Sequence, residues 1–257
     1  MSATSILKWL CLAFLFVLAL IVAFFLKVPD EGRLSETSKV LRAVDGSILE
    51  LRLTSTGHWR EPVKLNQIDP QLLKILIAYE DKRFWQHHGV DFLAIGRALI
   101  DGVKAGRVVS GASTLTMQTV RLMHPELGGR NVFVKLEQML EALRLEAHWS
   151  KEQILEAYFT LAPYGGNIEG IRAASNSWFD KEPIALTPSE AAFLVALPQS
   201  PEMRRPDRFP DRAHRAKAHV LRAVSKKVSI EKSTCISLYR GSTNWSATTT
   251  PQYNAHI

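Results

Sequence analysis

The feature that most constrains this chain is an apolar run near its start. From Trp9 to Leu26 there are 18 residues without a charge, with Lys8 before them and Lys27 after. That length reaches the lower end of what a helix needs to cross bilayer hydrocarbon, about 17–25 residues. A cleaved signal peptide has a shorter apolar core, about 7–15 residues, with small residues at a cleavage site. Lys27-Val28-Pro29-Asp30 offers no such site. The run therefore reads as an uncleaved membrane anchor. Its flanking charges are nearly symmetric and do not set its orientation.

The 257 residues suffice for one domain of good size or two small ones. A net charge of +7 and a pI near 9.5 point to an anionic partner. Zinc-finger spacing and other nucleic-acid signatures are missing, so no nucleic acid is expected, and a membrane surface or a phosphorylated substrate leads. Cys11 in the apolar run and Cys235 near the end are not placed to pair, and imply neither a disulfide framework nor a zinc site.

Residues 31–39 form a polar linker. Val40–Val44 and Ser47–Leu53 flank Asp45-Gly46, a strong hairpin signal. Asp69 is a good N-cap, and Pro70 suits the first helical position. Leu73, Leu76 and Ile77 follow at the i, i+3, i+4 spacing of one buried face, and the next position in that series is Glu80. A carboxylate thus stands where a core residue is due. Burial there predicts a raised pKa suited to acid–base chemistry. The competing reading is a frayed helix end, with Glu80 solvated or paired to Lys82 or Arg83.

Phe92, Leu93, Ile95, Leu99, Ile100 and Val103 recur at helical spacing with Arg97, Lys104 and Arg107 among them, which by default predicts a core-facing helix. Residues 110–118 are small and hydroxyl-rich, suited to close approach of a ligand and to binding phosphate or sugar oxygens. Asn131 to Trp149 is the clearest helix, with Val132, Phe133, Leu136, Met139, Leu140, Leu143 and Ala147 as a stripe that reads as core. Ser150 with Gln153, and Thr187 with Glu190, are capping boxes that open two further helices. Arg204, Arg205, Arg208, Arg212 and Arg215 form a solvated basic face. Of 33 residues from Ser225 to Ile257, 11 are Ser or Thr and apolar periodicity is lost, which predicts a disordered tail.

Two stretches resemble a known family. Glu80-Asp81-x-x-Phe84-x-x-His87-x-Gly89 resembles the first signature of the family 51 glycosyltransferases, the peptidoglycan polymerases found alone or as the first domain of class A penicillin-binding proteins. Gly111-Ala112-Ser113-Thr114-Leu115-Thr116-Met117-Gln118, in the right order downstream, resembles the second. The Gly-Ala and Met-Gln variants look most like the penicillin-binding protein 1C branch. The third signature, Arg-Lys-x-x-Glu, aligns its lysine with Lys135. Val134 stands in place of its arginine, and Gln138 in place of the second catalytic carboxylate. Glu137 is adjacent but about 100° away around the helix. The stretch from Ser150 to Ser175 resembles the fourth signature, with Thr160 where the family has Asn. Glu190 to Pro201 resembles the fifth and reads as scaffold.

The resemblance implies a mainly α, lysozyme-like domain with a small β-hairpin, preceded by one transmembrane helix. Its parts would be a cytoplasmic N-terminus (1–8), a signal anchor (9–28), a linker (29–39), the glycosyltransferase domain (40–224) and the tail (225–257). Ser229-Ile230-Glu231-Lys232 matches a transpeptidase Ser-x-x-Lys by spelling only, so the expectation is truncation before a transpeptidase domain. The implied activity is polymerisation of lipid II into β-1,4 glycan strands at the periplasmic face of the bacterial inner membrane. The implied partners are lipid II, the growing glycan chain, the bilayer and other cell wall synthesis proteins. The helix after Phe92 would lie against that bilayer. Glu80, Asp81 and Gln138 take the catalytic positions. Phe84, His87, Ser113, Thr114, Gln118, Arg121 and Lys135 take the substrate-binding ones, with Arg121 and Lys135 on the donor pyrophosphate. Mg²⁺ or Mn²⁺ on that pyrophosphate is the cofactor implied; no metal site is expected in the protein itself. Asp81 would orient Glu80 or a basic partner, and His87 reads as structural. Gln138 cannot hold a divalent metal as a carboxylate does, although the 1C branch looks similar at this point. Two other classes stay open: a lipid II-binding scaffold, suggested by Gln138, Thr160 and the tail, and a lytic glycosidase, which needs only one catalytic acid.

Overall fold

The computed structural model describes residues 3–44, 46–106, 113–129 and 131–225. Asp45 of the hairpin turn, Arg107, the Gly111-Ala112 pair, and the tail from 226 on with Cys235 and Ser229–Lys232 lie outside the described residues.

The first helix, α1 (Ala3–Leu26), contains a stretch from Ser5 to Leu26 long and apolar enough to cross a membrane, and its large side chains are exposed. A hairpin comes next, as expected. Strand β1 (Lys39–Arg42) pairs antiparallel with β2 (Ile48–Arg52), Val40 opposite Leu51, with a register shift after Leu41. A second pair was not legible in the sequence. Strand β3 (Trp59–Arg60) lies parallel to β4 (Ile168–Glu169), and two residues each are too few to show alternation.

This small pair is held by Arg60, which is 1% exposed. Its guanidinium donates to Glu169 Oε2 from Nε (2.9 Å) and Nη2 (2.5 Å). Its Nη1 donates to the carbonyls of Arg33 (2.5 Å) and Glu36 (2.8 Å). A buried charge is tolerable when paired and hydrogen-bonded in this way. The linker after α1 is thereby tied to the domain.

The rest is helical: α2 (Pro70–Glu80), α3 (Phe92–Ala105), α4 (Leu115–Met123), α5 (Val132–His148), α6 (Lys151–Leu161), α7 (Ile171–Phe179), α8 (Pro188–Ala196) and α9 (Pro210–Ser225). The mainly α expectation holds. Helix α8 is buried all round, from Ala191 to Ala196, and so must be the centre of the core. Helices α2 and α9 pack on it, while α4 packs on α5 and α6. The expected caps are present: Asp69 accepts from the Gln71 N–H, and both capping boxes are closed.

The three apolar stripes fare differently. On α2 the fully buried line is Leu72, Ile75 and Leu76; Leu73, Ile77 and Glu80 form a half-buried line beside it. Glu80 is therefore at the rim of the core. On α5 the core expectation fails. Phe133 is 82% exposed, and Val132, Leu136 and Leu140 are also exposed, while Gln138, Ala142, Arg144 and Leu145 point inward. On α3 no residue is buried, and Val103 is 84% exposed. Periodicity identifies an apolar face but not what covers it, and beside a membrane anchor such faces have lipid available. The end of α1 rests on α5, with Arg144 stacked over the Phe24 ring at 4.9 Å.

Gly89, in the α2–α3 connection, has φ +74°, and a Cβ there would run into the Ala142 carbonyl of α5. Gly89→Ala forces both a disfavoured backbone and a clash with another helix's main chain. A loss of about 2 kcal/mol or more is expected, read as a Tm lower by about 4–8 °C.

The same connection is clamped by Arg83, whose Nε donates to Asp91 Oδ2 at 2.8 Å while Nη2 bonds Oδ1. Arg83 holds the Asp91 carboxyl below the usual carboxylate range; burial opposes this and the Ala94 N–H adds to it. A depressed carboxylate contributes stability above its unfolded pKa, about 3.9, and loses it as pH falls through the folded value. Arg83→Met should therefore destabilise at neutral pH, and the gap from wild type should close below about pH 4 in denaturant melts.

Candidate active site

The site is built where the end of α2 meets the start of α4. At Asp81 the chain leaves the helix and turns inward. The Asp81 carboxylate, buried, accepts from His87 Nε2 at 2.9 Å and from the Leu115 N–H at 2.9 Å. Leu115 is the first residue of α4, where a free N–H and the helix dipole favour an anion. Next to it Thr114 caps α4, accepting from the Met117 N–H at 3.1 Å and donating to the Gly89 carbonyl at 2.6 Å. Phe84 is fully buried, with His87 edge-on at 6.1 Å and Lys151 Nζ 4.3 Å from its ring centroid. Lys151 is paired at 2.7 Å with Glu146, which also accepts from the Thr116 hydroxyl.

Of the residues nominated from sequence, Asp81, Phe84, His87 and Thr114 thus face inward. Their contacts are with the scaffold; Asp81 orients His87 and α4, and its own carboxylate does not bond Glu80. His87, nominated for substrate binding, is buried and bonded to Asp81.

Glu80 is half-buried and points the other way, toward Gln118 and Gln199, a side termed the groove. Its Oε2 accepts from Gln118 Nε2 at 3.1 Å and its Oε1 from Gln199 Nε2 at 2.7 Å. It pairs with neither Lys82 nor Arg83. Arg121 lies one turn beyond Gln118 on α4 and is exposed. Lys135 of α5 donates to Ser113 Oγ at 2.6 Å and to Gln138 Oε1 at 3.2 Å. Burial pushes the Lys135 ammonium below its usual pKa, and the charge of Arg121 adds to that. Among the described residues no carboxylate lies within salt-bridge distance of Lys135 or Arg121. Gln138 is buried behind Lys135, its amide N–H bonded to the Leu127 carbonyl. Glu137 is exposed, away from the site.

Tyr158 lies beneath the groove. Its hydroxyl pKa is raised first by burial and then by Glu80, and Arg121 opposes the rise. A carboxylate and a cationic corner thus act on the same buried hydroxyl. Such an arrangement can take a proton at Glu80 and neutralise an anion at Lys135 and Arg121.

Gln199, within the segment read as scaffold, touches Glu80. Its contact with Glu80 spans 119 positions in the chain, and nothing in local periodicity reports it. Thr160 is buried at the end of α6 and lines a separate cavity of about 560 Å³ with Trp149, Glu156 and Arg172. Of the charges there, Lys64 is paired with Glu156 and Arg172 with Glu182. No residue around Glu80 contributes to that cavity.

Comparisons with known proteins bear on the family of the chain. Penicillin-binding protein 1C of Escherichia coli (strain K12) is 45% identical over 186 residues, 72% of this chain and 24% of that protein. Penicillin-binding protein 1F of Bacillus subtilis (strain 168) is 40% identical over 156 residues, 60% of this chain and 21% of that protein. The 2.6 Å crystal structure of penicillin-binding protein 1A from Haemophilus influenzae aligns over 80% of this chain and 20% of its own, at 18% identity and a TM-score of 0.44. The chain spans about a quarter of the length of the curated relatives it matches. The sequence profile described as Transglycosylase matches residues 46–225, nearly all of the folded domain, and the chain belongs to the transglycosylase family.

Proposed function

We propose that the chain is a membrane-anchored peptidoglycan glycosyltransferase that polymerises lipid II. The observation that carries this is that Gln118 of α4 holds Glu80 while Arg121, one turn further along the same helix, acts electrostatically on Lys135, and among the described residues neither cation has a carboxylate partner. The donor is the growing glycan on undecaprenyl pyrophosphate, and the acceptor is lipid II. Glu80 takes the proton from the acceptor GlcNAc 4-hydroxyl. The oxygen bonds to the anomeric carbon of the donor's terminal MurNAc as the bond from that carbon to the pyrophosphate oxygen breaks. The configuration inverts from α to β, through a transition state of oxocarbenium character as in glycoside hydrolysis. The pyrophosphate leaves with the bonding electrons. Its growing charge meets Lys135 and Arg121, fixed before the reaction, with Ser113 and Gln138 holding the lysine.

The Lys135 ammonium and the Arg121 guanidinium cannot ligate a divalent cation and would repel one, and Ser113 and Gln138 bring no carboxylate to hold it. On this reading the cations of the protein carry the leaving group, and a Mg²⁺ or Mn²⁺ ion would depend on the pyrophosphate's own oxygens. The apolar, exposed faces of α1 and α3 support a site at the bilayer, where a lipid-linked sugar is found. The orientation proposed has the domain on the periplasmic side of the inner membrane.

Polymerisation of fluorescent lipid II by the detergent-purified protein tests the reading. Glu80→Gln should lower kcat by about 10³-fold, within the range for loss of a general base. Lys135→Met should lower it by about 10²-fold, as removal of a fixed charge at the leaving group does. Lipid II bound with no polymer from the wild type would favour a binding scaffold, and soluble muropeptides released from sacculi would favour a lytic glycosidase.

A further inference from the structure

We propose that Gln199 is a positioning residue that sets the rotamer of Glu80, linking the core helix α8 to the catalytic carboxylate. The proposal rests on the glycosyltransferase reading for its catalytic meaning.

Gln199 ends a short 3₁₀ turn, Leu197–Gln199, that continues directly from α8. Leu197 is fully buried and Pro198 stiffens the turn, so its base cannot drift. Arg204 Nη1 bonds the Ala196 carbonyl and also donates to Gln199 Oε1 at 3.2 Å. A guanidinium only donates, so it selects the amide oxygen and leaves the amide NH₂ to face Glu80 Oε1 at 2.7 Å. Gln118 Nε2 meets the other oxygen at 3.1 Å. Two amides from different parts of the fold therefore grip the two oxygens of one carboxylate. The Tyr79 hydroxyl, on the residue before Glu80, also bonds Gln199, and Arg204 holds the amide oxygen from the other side.

The grip also restricts direction. A carboxylate free to turn would seldom present a lone pair to the acceptor hydroxyl, and a misplacement of about 1 Å at a reacting group can cost on the order of 10²-fold. Gln199 is itself exposed, while Glu80 is half-buried.

Two variants test this. Gln199→Ala removes the donor. Gln199→Glu keeps the side-chain shape and the acceptor for Arg204 but cannot donate when ionised. Both should lower kcat for lipid II polymerisation by about 10-fold to 100-fold with KM within about twofold of wild type. Wild-type kcat in both variants would overturn the proposal, as would a loss confined to KM. A readout independent of turnover is the crystal structure of each variant, in which the Glu80 carboxylate should leave the orientation it has between Gln118 and Gln199; an unchanged orientation overturns the grip. A wild type that makes no polymer, with Glu80 displaced in the variants, removes the glycosyltransferase reading while leaving the Gln199 contact intact.

Discussion

The site depends on one buried carboxylate, Asp81. Burying a charge costs several kcal/mol unless partners replace water. Asp81 finds them in His87 and in the Leu115 N–H at the start of α4. That bond fixes two things. Because Asp81 turns inward where α2 ends, Glu80, its neighbour in the chain, is left on the groove side. Because the acceptor sits at the first N–H of α4, the position of that helix relative to α2 is set. Gln118 and Arg121 come after Leu115 at three-residue steps and are delivered to the groove as one line. Thr114 on Gly89, and Lys151 over Phe84, tie the same two segments from other sides. The residues of the first signature thus divide by direction: one toward chemistry, the others toward holding it still.

That division explains what could be read from the sequence. Caps and turns are local, and Asp69, Ser150, Thr187 and the hairpin were legible because each needs only a few neighbouring residues. Glu80 was legible because a carboxylate in an apolar series is an anomaly at short range. Whether a motif residue faces the groove or the core was not legible. Phe84 and Lys135 both carry motif positions, and only the packing of α4, α5 and α6 around them decides that one is buried and the other reaches Ser113. Gln199 was invisible for a stronger reason, since its partner is 119 positions away. The stripes of α3 and α5 misled because hydropathy measures preference for a nonaqueous surrounding and does not distinguish protein from lipid.

Gln138 stands where a second carboxylate is expected, and its environment makes sense of the change. A glutamate there would meet the Lys135 ammonium, about 3.2 Å from the present amide oxygen, and would form an ion pair with it. It would also turn an oxygen toward the Leu127 carbonyl that the amide N–H now satisfies. With glutamine, the buried side chain is hydrogen-bonded at both ends and carries no charge. Lys135 and Arg121 are then left to repel one another, which contributes to the lowered Lys135 pKa. An arriving dianionic leaving group would relieve that repulsion and gain both attractions. On the proposed reading the loss of a carboxylate transfers the work of neutralising the pyrophosphate from a metal-holding site to two protein cations.

The placement of the anchor belongs to the same physical account. Helix α1 cannot shed its apolar surface onto the domain, because only its end touches α5. The segment after α1 is not left to swing, since the carbonyls of Arg33 and Glu36 are bound by the buried Arg60 guanidinium, itself held by Glu169. The anchor is therefore joined to the domain through a buried charge network instead of a free tether. On the proposed reading a domain held in this way would keep one side toward the membrane, where the exposed apolar residues of α3 would be covered. A soluble polymerase acting on a soluble sugar would gain nothing from leaving Phe92, Leu99 and Val103 uncovered. A polymerase whose substrate is anchored in lipid gains a short path from bilayer to groove.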